Sequence, residues 1–300
     1  MSTSSNPPPF HLGHYLESVS GEDESTSAPK ARRIKLTLEY DGTDFKGWQV
    51  QSGERAGAAT DASVRTVQGE VERALSTICL QPIRISGASR TDAGVHARGQ
   101  TASLILPEGI KIPTSYLCMA LNSNMPKDVS AIKAEEVEES FHAQRNALGK
   151  IYVYSIFSRR ERSSMLRRDH WHMRFPVDPV AMQKAAAHLV GTHDFTSFAT
   201  QLKLIQSKRV EEGRRELETV RTINRVEINA CPHIPGRFMI EVEGSGFLYQ
   251  MVRTIAGSLV DVGRGYRPPD WMAEALAAKD RRKAGPTAPA LGLCLEKVLY

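Results

Sequence analysis

From Ile34 onward apolar and polar positions alternate. Ile34, Leu36, Leu38 and Tyr40 are interleaved with Lys35, Thr37 and Glu39, a period of two that predicts a half-buried strand. After a Gly/Ala-rich linker at 52–63 the period changes. Thr66 stands as an N-cap before Val67, Val71, Ala74, Leu75 and Ile78, the three-and-four spacing of an amphipathic helix. Strand-like runs follow at 82–86 and 101–106, then a shorter helix around 113–121 and a strand near 128–137. The second half repeats the order. Ile151–Phe157 is strand-rich by composition, and a helix starts at Pro179 with Asp178 as cap, Met182, Ala185, Ala186 and Leu189 as stripe and Gly191 as stop. Strands at 222–230 and 237–243, a helix over 247–262, a further helix after Asp270 and a strand at 293–299 complete the pattern.

Each half therefore reads β-α-β-β-α-β, the ferredoxin-like order. The expected fold class is α+β, with two such halves meeting at a central cleft. The expected domains are 31–143, which holds a glycine-flanked aspartate loop, and 144–300. Residues 1–30 are rich in Ser, Pro and acidic side chains, include Pro7-Pro8-Pro9 and show no apolar period. They read as a disordered acidic extension.

Composition narrows the class. With 41% hydrophobic and 24% charged residues among 300, the chain has enough apolar material for a large core. No run approaches the roughly 18 apolar residues of a membrane span, and no basic segment followed by an apolar core marks a secretory signal. Cys79, Cys118, Cys231 and Cys294 lie far apart, as expected of reduced thiols in the cytoplasm rather than a disulfide framework. His170 and His172 form one His-x-His with no second ligand pair, which argues against a zinc site. Net charge is +5. Residues 1–30 set Glu17, Glu22, Asp23 and Glu24 against Lys30 alone, so the body carries a larger positive excess than the whole, as a polyanion-binding protein would.

Candidate chemistry centres on Gly87-Ala88-Ser89-Arg90-Thr91-Asp92-Ala93-Gly94-Val95-His96. Asp92 falls in a loop between two strands, where a cleft between the halves would receive it. Burial raises a carboxyl pKa by up to roughly 3–5 units, so an ionised Asp92 needs a cation beside it. Arg90 and Arg253 are the candidates. Arg253 lies off the apolar stripe of its helix, which is Leu248, Met251, Val252, Ile255 and Leu259, on a face shared with Gln250, Gly257 and Asp261. Tyr152 and Tyr154 point to the same face of their strand.

These segments together resemble the TruA family of tRNA pseudouridine synthases. The run at 87–96 is similar to the family's catalytic motif, and the resemblance makes Asp92 the essential residue and Arg90 the arginine that holds the displaced nucleotide. Gly246-Phe247-Leu248-Tyr249-Gln250-Met251-Val252-Arg253 resembles the motif whose arginine pairs with that aspartate. Lys150-Ile151-Tyr152-Val153-Tyr154 resembles the element whose first tyrosine, here Tyr152, stacks on the target base and is a candidate acceptor of its C5 proton. Gly292-Leu293-Cys294-Leu295 resembles the C-terminal element that packs a leucine, here Leu293, on the base.

Further matches are Glu39–Gln49, Thr66–Gly69, Ser140–Ala143 and Gly191–Phe198, so the likeness covers about residues 34–300. It departs at Gln144, where the family usually has Arg, and at 201–218, a longer charged segment whose Lys203, Lys208, Arg209, Arg214 and Arg215 either touch RNA or solvate a loop, the loop being the favoured reading. The implied activity is isomerisation of uridine to pseudouridine at positions 38, 39 and 40 of the tRNA anticodon arm, without cofactor or metal, in a cytoplasmic homodimer. A synthase for other RNA uridines and a non-catalytic tRNA-binding or folding protein are the alternatives.

Overall fold

The computed structural model describes residues 30–50 and 65–300. Apart from Lys30, the extension read at 1–30 lies outside the described residues, as does the linker at 52–63. The alternation from Ile34 becomes β1 (Arg32–Tyr40), with Ile34, Leu36 and Leu38 fully buried. Helix α1 (Val67–Cys79) starts where Thr66 accepts a hydrogen bond from the Gly69 amide at 3.2 Å, and its Val67, Val71, Ala74 and Leu75 are buried. Each aliphatic side chain taken out of water contributes about 1.5–3 kcal/mol, so this facing stripe dominates the packing of the first half. Strands β2 (Ile85–Gly87) and β3 (His96–Leu106), helix α2 (Thr114–Asn124) and strand β4 (Val129–Glu136) follow.

The second half begins with β5 (Gly149–Ser158) and a short β6 (Trp171–Met173) beside it. Helix α3 (Pro179–Ala186) is capped by Asp178, which accepts from the Val180 and Ala181 amides. Then come β7 (Gly191–Asp194), α4 (Leu202–Glu211), β8 (Val220–Ala230), β9 (Arg237–Gly244), α5 (Met251–Gly263), α6 (Trp271–Ala277) and β10 (Leu293–Leu299). Among the described residues no helix is long and apolar enough to cross a membrane.

The ten strands of the described residues join one sheet, in the order β4-β1-β3-β10-β5-β9-β8-β7 with β2 on β3 and β6 on β5. The first half is ordered β4-β1-β3-β2 and the second β10-β5-β9-β8. Both are the same ferredoxin-like arrangement, as the repeated pattern implies. The halves join through a short parallel pairing of β3 with β10, Cys294 opposite His96 and Leu295 opposite Ala97. Since β1 occupies the other edge of β3, β2 and β10 share one edge: β2 lies against Ala102–Leu104 and β10 against His96 and Ala97. Between them Ala88 still pairs with Thr101 and Glu296 lies against Gly99, and the 89–95 loop leaves the sheet where the two strands part.

Three local expectations change. β3 begins at His96 rather than 101, because the polar start of the strand is buried between β1 and β10. α5 begins at Met251, not 247, because Gln250 at φ 58 turns the chain into the helix. Residues 202–211, read as loop, form helix α4. It has no buried residue, and therefore no apolar stripe to announce it.

Candidate active site

The loop carrying Asp92 is held by polar contacts that replace the missing backbone ladder. The Ala88 amide donates to the Thr101 carbonyl at 2.7 Å, the last rung of ordinary pairing. Beyond it the fully buried Gln100 side chain takes over. Its Oε1 accepts from the Ser89 amide at 3.2 Å and its Nε2 donates to the Ser89 carbonyl at 2.7 Å. From below, the Trp48 amide donates to the Thr91 carbonyl at 3.1 Å, and the hydroxyls of Tyr40 and Thr91 are 2.7 Å apart. Gly47, at φ +94, brings its backbone against that loop; a Cβ there would stand 2.7 Å from the Thr91 oxygen. The segment 39–49 is thus the seat of the Asp92 loop.

Arg253 arrives from α5 in the other half. Its Nη1 donates to Asp92 Oδ2 at 3.1 Å and its Nε to the Ala288 carbonyl at 2.8 Å. Both side chains are largely buried, 13% exposed for Arg253 and 15% for Asp92. Gly257, one turn along, permits this. A Cβ on it would lie 1.8 Å from the Pro286 oxygen, so the chain carrying Ala288 lies directly on the helix backbone. Burial raises the Asp92 carboxyl above its ordinary value of 3.8, and the Arg253 hydrogen bond and charge oppose that rise without cancelling it.

The two strand tyrosines part company. Tyr154 is core, donating its hydroxyl to the Pro289 carbonyl at 2.8 Å. Tyr152 lines the cleft, its hydroxyl 2.8 Å from Ser89 Oγ and its ring edge-on to Phe247 at 5.3 Å between centroids. Burial pushes its phenol up to about 12, so it is protonated at neutral pH. Leu293, first residue of β10, reaches the same cleft, as does the exposed Arg90. All five residues singled out in the sequence therefore line one cavity of about 510 Å³. Arg253, not Arg90, is the cation on Asp92.

The residue pattern concealed Gln100, which lies fully buried behind the wall and holds Ser89, one of the wall's own residues. From α4 and the turn after it come Lys208, Arg209, Glu212 and Arg214, and Gln144 stands there too, where the family usually has Arg. Among the described residues no group of three or more His, Cys, Asp or Glu is gathered for a metal. His170 is engaged instead with Asp169 and Arg237, and His172 with the Arg159 carbonyl.

Comparison with known proteins decides the family. Residues 37–144 and 185–300 match the tRNA pseudouridine synthase family. The chain belongs to the tRNA pseudouridine synthase family. Among curated members it is 41% identical over 268 residues to tRNA pseudouridine synthase A of Myxococcus xanthus, covering 89% of this chain and 92% of that protein. It is 42% identical over 268 residues to the tRNA pseudouridine synthase A of Moorella thermoacetica, covering 89% and 99%. That of Brevibacillus brevis is 40% identical over 269 residues, covering 90% and 100%. In this pseudouridine synthase the family match spans both halves of the sheet, and so both sides of the Asp92–Arg253 contact.

Proposed function

We propose that this chain isomerises uridine to pseudouridine in tRNA, at positions 38, 39 and 40 of the anticodon arm. One observation carries the chemistry: a largely buried carboxylate from one half is held by an arginine from the other, beside a tyrosine face and a leucine, in a cleft rich in cations. The tRNA substrate accords with relatives named tRNA pseudouridine synthase A, and the three positions are what the motif resemblance to the TruA family implies.

The reaction breaks the N1–C1′ bond, turns the uracil and joins C5 to C1′; the C5 proton is lost and N1 regains a proton. Asp92 starts glycosidic cleavage as the carboxylate, and Arg253 keeps it ionised and aimed through its two-pronged contact with Ala288 and Asp92. The base leaves its stack at a cost of a few kcal/mol. Tyr152 and Leu293 offset that cost by packing on the uracil, since stacking on an aromatic ring contributes about 1–3 kcal/mol per base. Arg90, exposed at the rim, fills the place the base vacated. Because the Tyr152 phenol is protonated, it takes the C5 proton only by passing its own hydroxyl proton on, through Ser89, to water in the cleft, while N1 takes a proton back from water.

The domains at 31–143 and 144–300 supply the two walls. A homodimer accords with the family resemblance, and a cytoplasmic setting with the free thiols of Cys79, Cys118, Cys231 and Cys294. Tritium release from tRNA carrying 5-tritiated uridine tests the activity, with Asp92→Asn beside the wild type and tRNA binding checked for both. Release by the wild type alone supports the proposal; tight binding with no release from either overturns it in favour of a binding protein.

A further inference from the structure

Six cations and two carboxylates line the catalytic cleft, and both carboxylates are already paired, Asp92 with Arg253 and Glu212 with Arg214. Arg90, Lys150, Lys208 and Arg209 thus face the cavity with no carboxylate partner among the described residues. Three of them are rim or helix-surface groups that water can solvate. Lys150 differs. It stands on β5 two residues before Tyr152, on the same face of the strand, and is partly buried. Opposite it β9 offers only Gly244 and β10 only the apolar Val298, so no polar side chain lies across either rung.

Arg221 on β8 stands behind it. Its side chain runs along Gly246, whose added Cβ would be 3.9 Å from Arg221 Cδ and Nε, just before the cleft residue Phe247. The guanidinium spends one donor on the Val220 carbonyl beside it. Glu218 is the carboxylate whose charge reaches it. Burial, and then the Arg221 charge, hold the Lys150 ammonium below its ordinary range. Two partly buried cations whose charges reach each other, with no carboxylate paired to Lys150 among the described residues, make an unfavourable arrangement. An anion entering the cleft relieves it.

We propose that Lys150, backed by Arg221, is a binding site for one RNA phosphodiester, that of the nucleotide whose base enters between Tyr152 and Asp92. This rests on the reading that the cleft receives a uridine of RNA. The subsite sits one strand step from the stacking tyrosine, so the phosphate is fixed close to the base it carries. Lys208 and Arg209, across the cavity on α4, provide the surrounding field rather than the contact.

The test uses the full chain. The Kd for tRNA is measured over a range of salt concentrations for wild type, Lys150→Met and Lys150→Arg, and each is melted without RNA, with and without inorganic phosphate. Losing one phosphate contact lowers the log–log salt slope by about 1. The expected result is that loss in Lys150→Met, with binding roughly tenfold weaker at low salt, and its recovery in Lys150→Arg. Lys150→Met melts no lower than wild type, because it removes an uncompensated charge, and phosphate raises the wild-type melting temperature more than that of the variant. An unchanged slope in Lys150→Met overturns the subsite, and so does a lower melting temperature, which would make the lysine a structural one. Binding and product are read separately. An unchanged slope in a chain that still forms pseudouridine sinks the subsite alone, and a reduced slope in a chain that forms none sinks the activity alone.

Discussion

Arg253 Nη1 meets Asp92 Oδ2 at 3.1 Å across a sequence separation of 161 residues, and the same guanidinium holds the Ala288 carbonyl with its Nε. One side chain therefore joins the aspartate loop, helix α5 and the segment leading to β10. Arg253→Lys keeps the charge but cannot span both acceptors, and Arg253→Met keeps neither. Turnover is expected to fall about 10²-fold or more in Arg253→Met, the scale set by loss of one positioned charge contact, and less in Arg253→Lys. Removing one partner of a buried pair also costs on the order of 3 kcal/mol, so melting temperature and single-turnover rate are measured on the same samples. Wild-type rates in Arg253→Met would show that Asp92 needs no cation.

The pH dependence has a defined sign. The folded pKa of Asp92 lies above the unfolded value of 3.8, so ionising it costs the fold stability as pH rises from 3.8 through the folded value, and that cost persists at neutral pH. Activity runs the other way, being lost as pH falls through the folded pKa. Asp92→Asn is thus expected to be inactive, and to lose less melting temperature at neutral pH than Arg253→Met, because the amide removes the buried negative charge yet keeps an acceptor for Arg253. The acid limb of single-turnover rate against pH is expected above 3.8, and higher still in Arg253→Lys. A limb in the ordinary carboxylate range would show that burial does not set the Asp92 pKa.

At Gly257 the prediction concerns packing. A methyl group there would sit 1.8 Å from the backbone oxygen of Pro286, which has no flexible end to swing aside. Overpacking costs about 1–3 kcal/mol, and Gly257→Ala belongs at the upper end of that range. Because the displaced segment carries Ala288, the rate is expected to fall with stability. Denaturant unfolding and turnover check both, and an unperturbed Gly257→Ala would mean that the segment moves freely.

Gln100→Leu removes a side chain that stands in for the backbone ladder. It leaves the Ser89 amide and carbonyl unpaired, at about 1–3 kcal/mol for each buried group, and frees the Ser89 hydroxyl that meets Tyr152. A lower melting temperature and a lower kcat/KM are expected together. Gln100→Glu places a carboxylate in a fully buried site against the Ser89 carbonyl, and should be at least as destabilising as Gln100→Leu.

The two ferredoxin-like halves were legible because their strands and helices each bury one face. Ile34, Leu36 and Leu38 alternate, and Val67, Val71, Ala74 and Leu75 make a stripe. Helix α4 left no such trace, since it has no fully buried residue and its charges read equally well as loop. Asp92, Arg253, Tyr152, Arg90 and Leu293 were legible through motif resemblance, and the structure gathers them in one cavity without testing the role of each. The choice of Arg253 over Arg90 as the partner of Asp92 was open to residue spacing alone, because a contact 161 residues apart leaves no local pattern. Gln100 was hidden for a different reason. Its importance lies in two backbone groups of Ser89 that lack ladder partners, which no side-chain pattern reports.

The parallel pairing of β3 with β10 has a consequence for synthesis. A chain emerging from the ribosome folds from its N-terminal side first, yet the strand between β3 and β5 is β10, which is made after every other strand. Until residues 284–295 emerge, Arg253 has no Ala288 carbonyl to brace it, and Leu293 is absent from the cleft. The cleft is thus completed only as β10, the last of the described strands, is laid in.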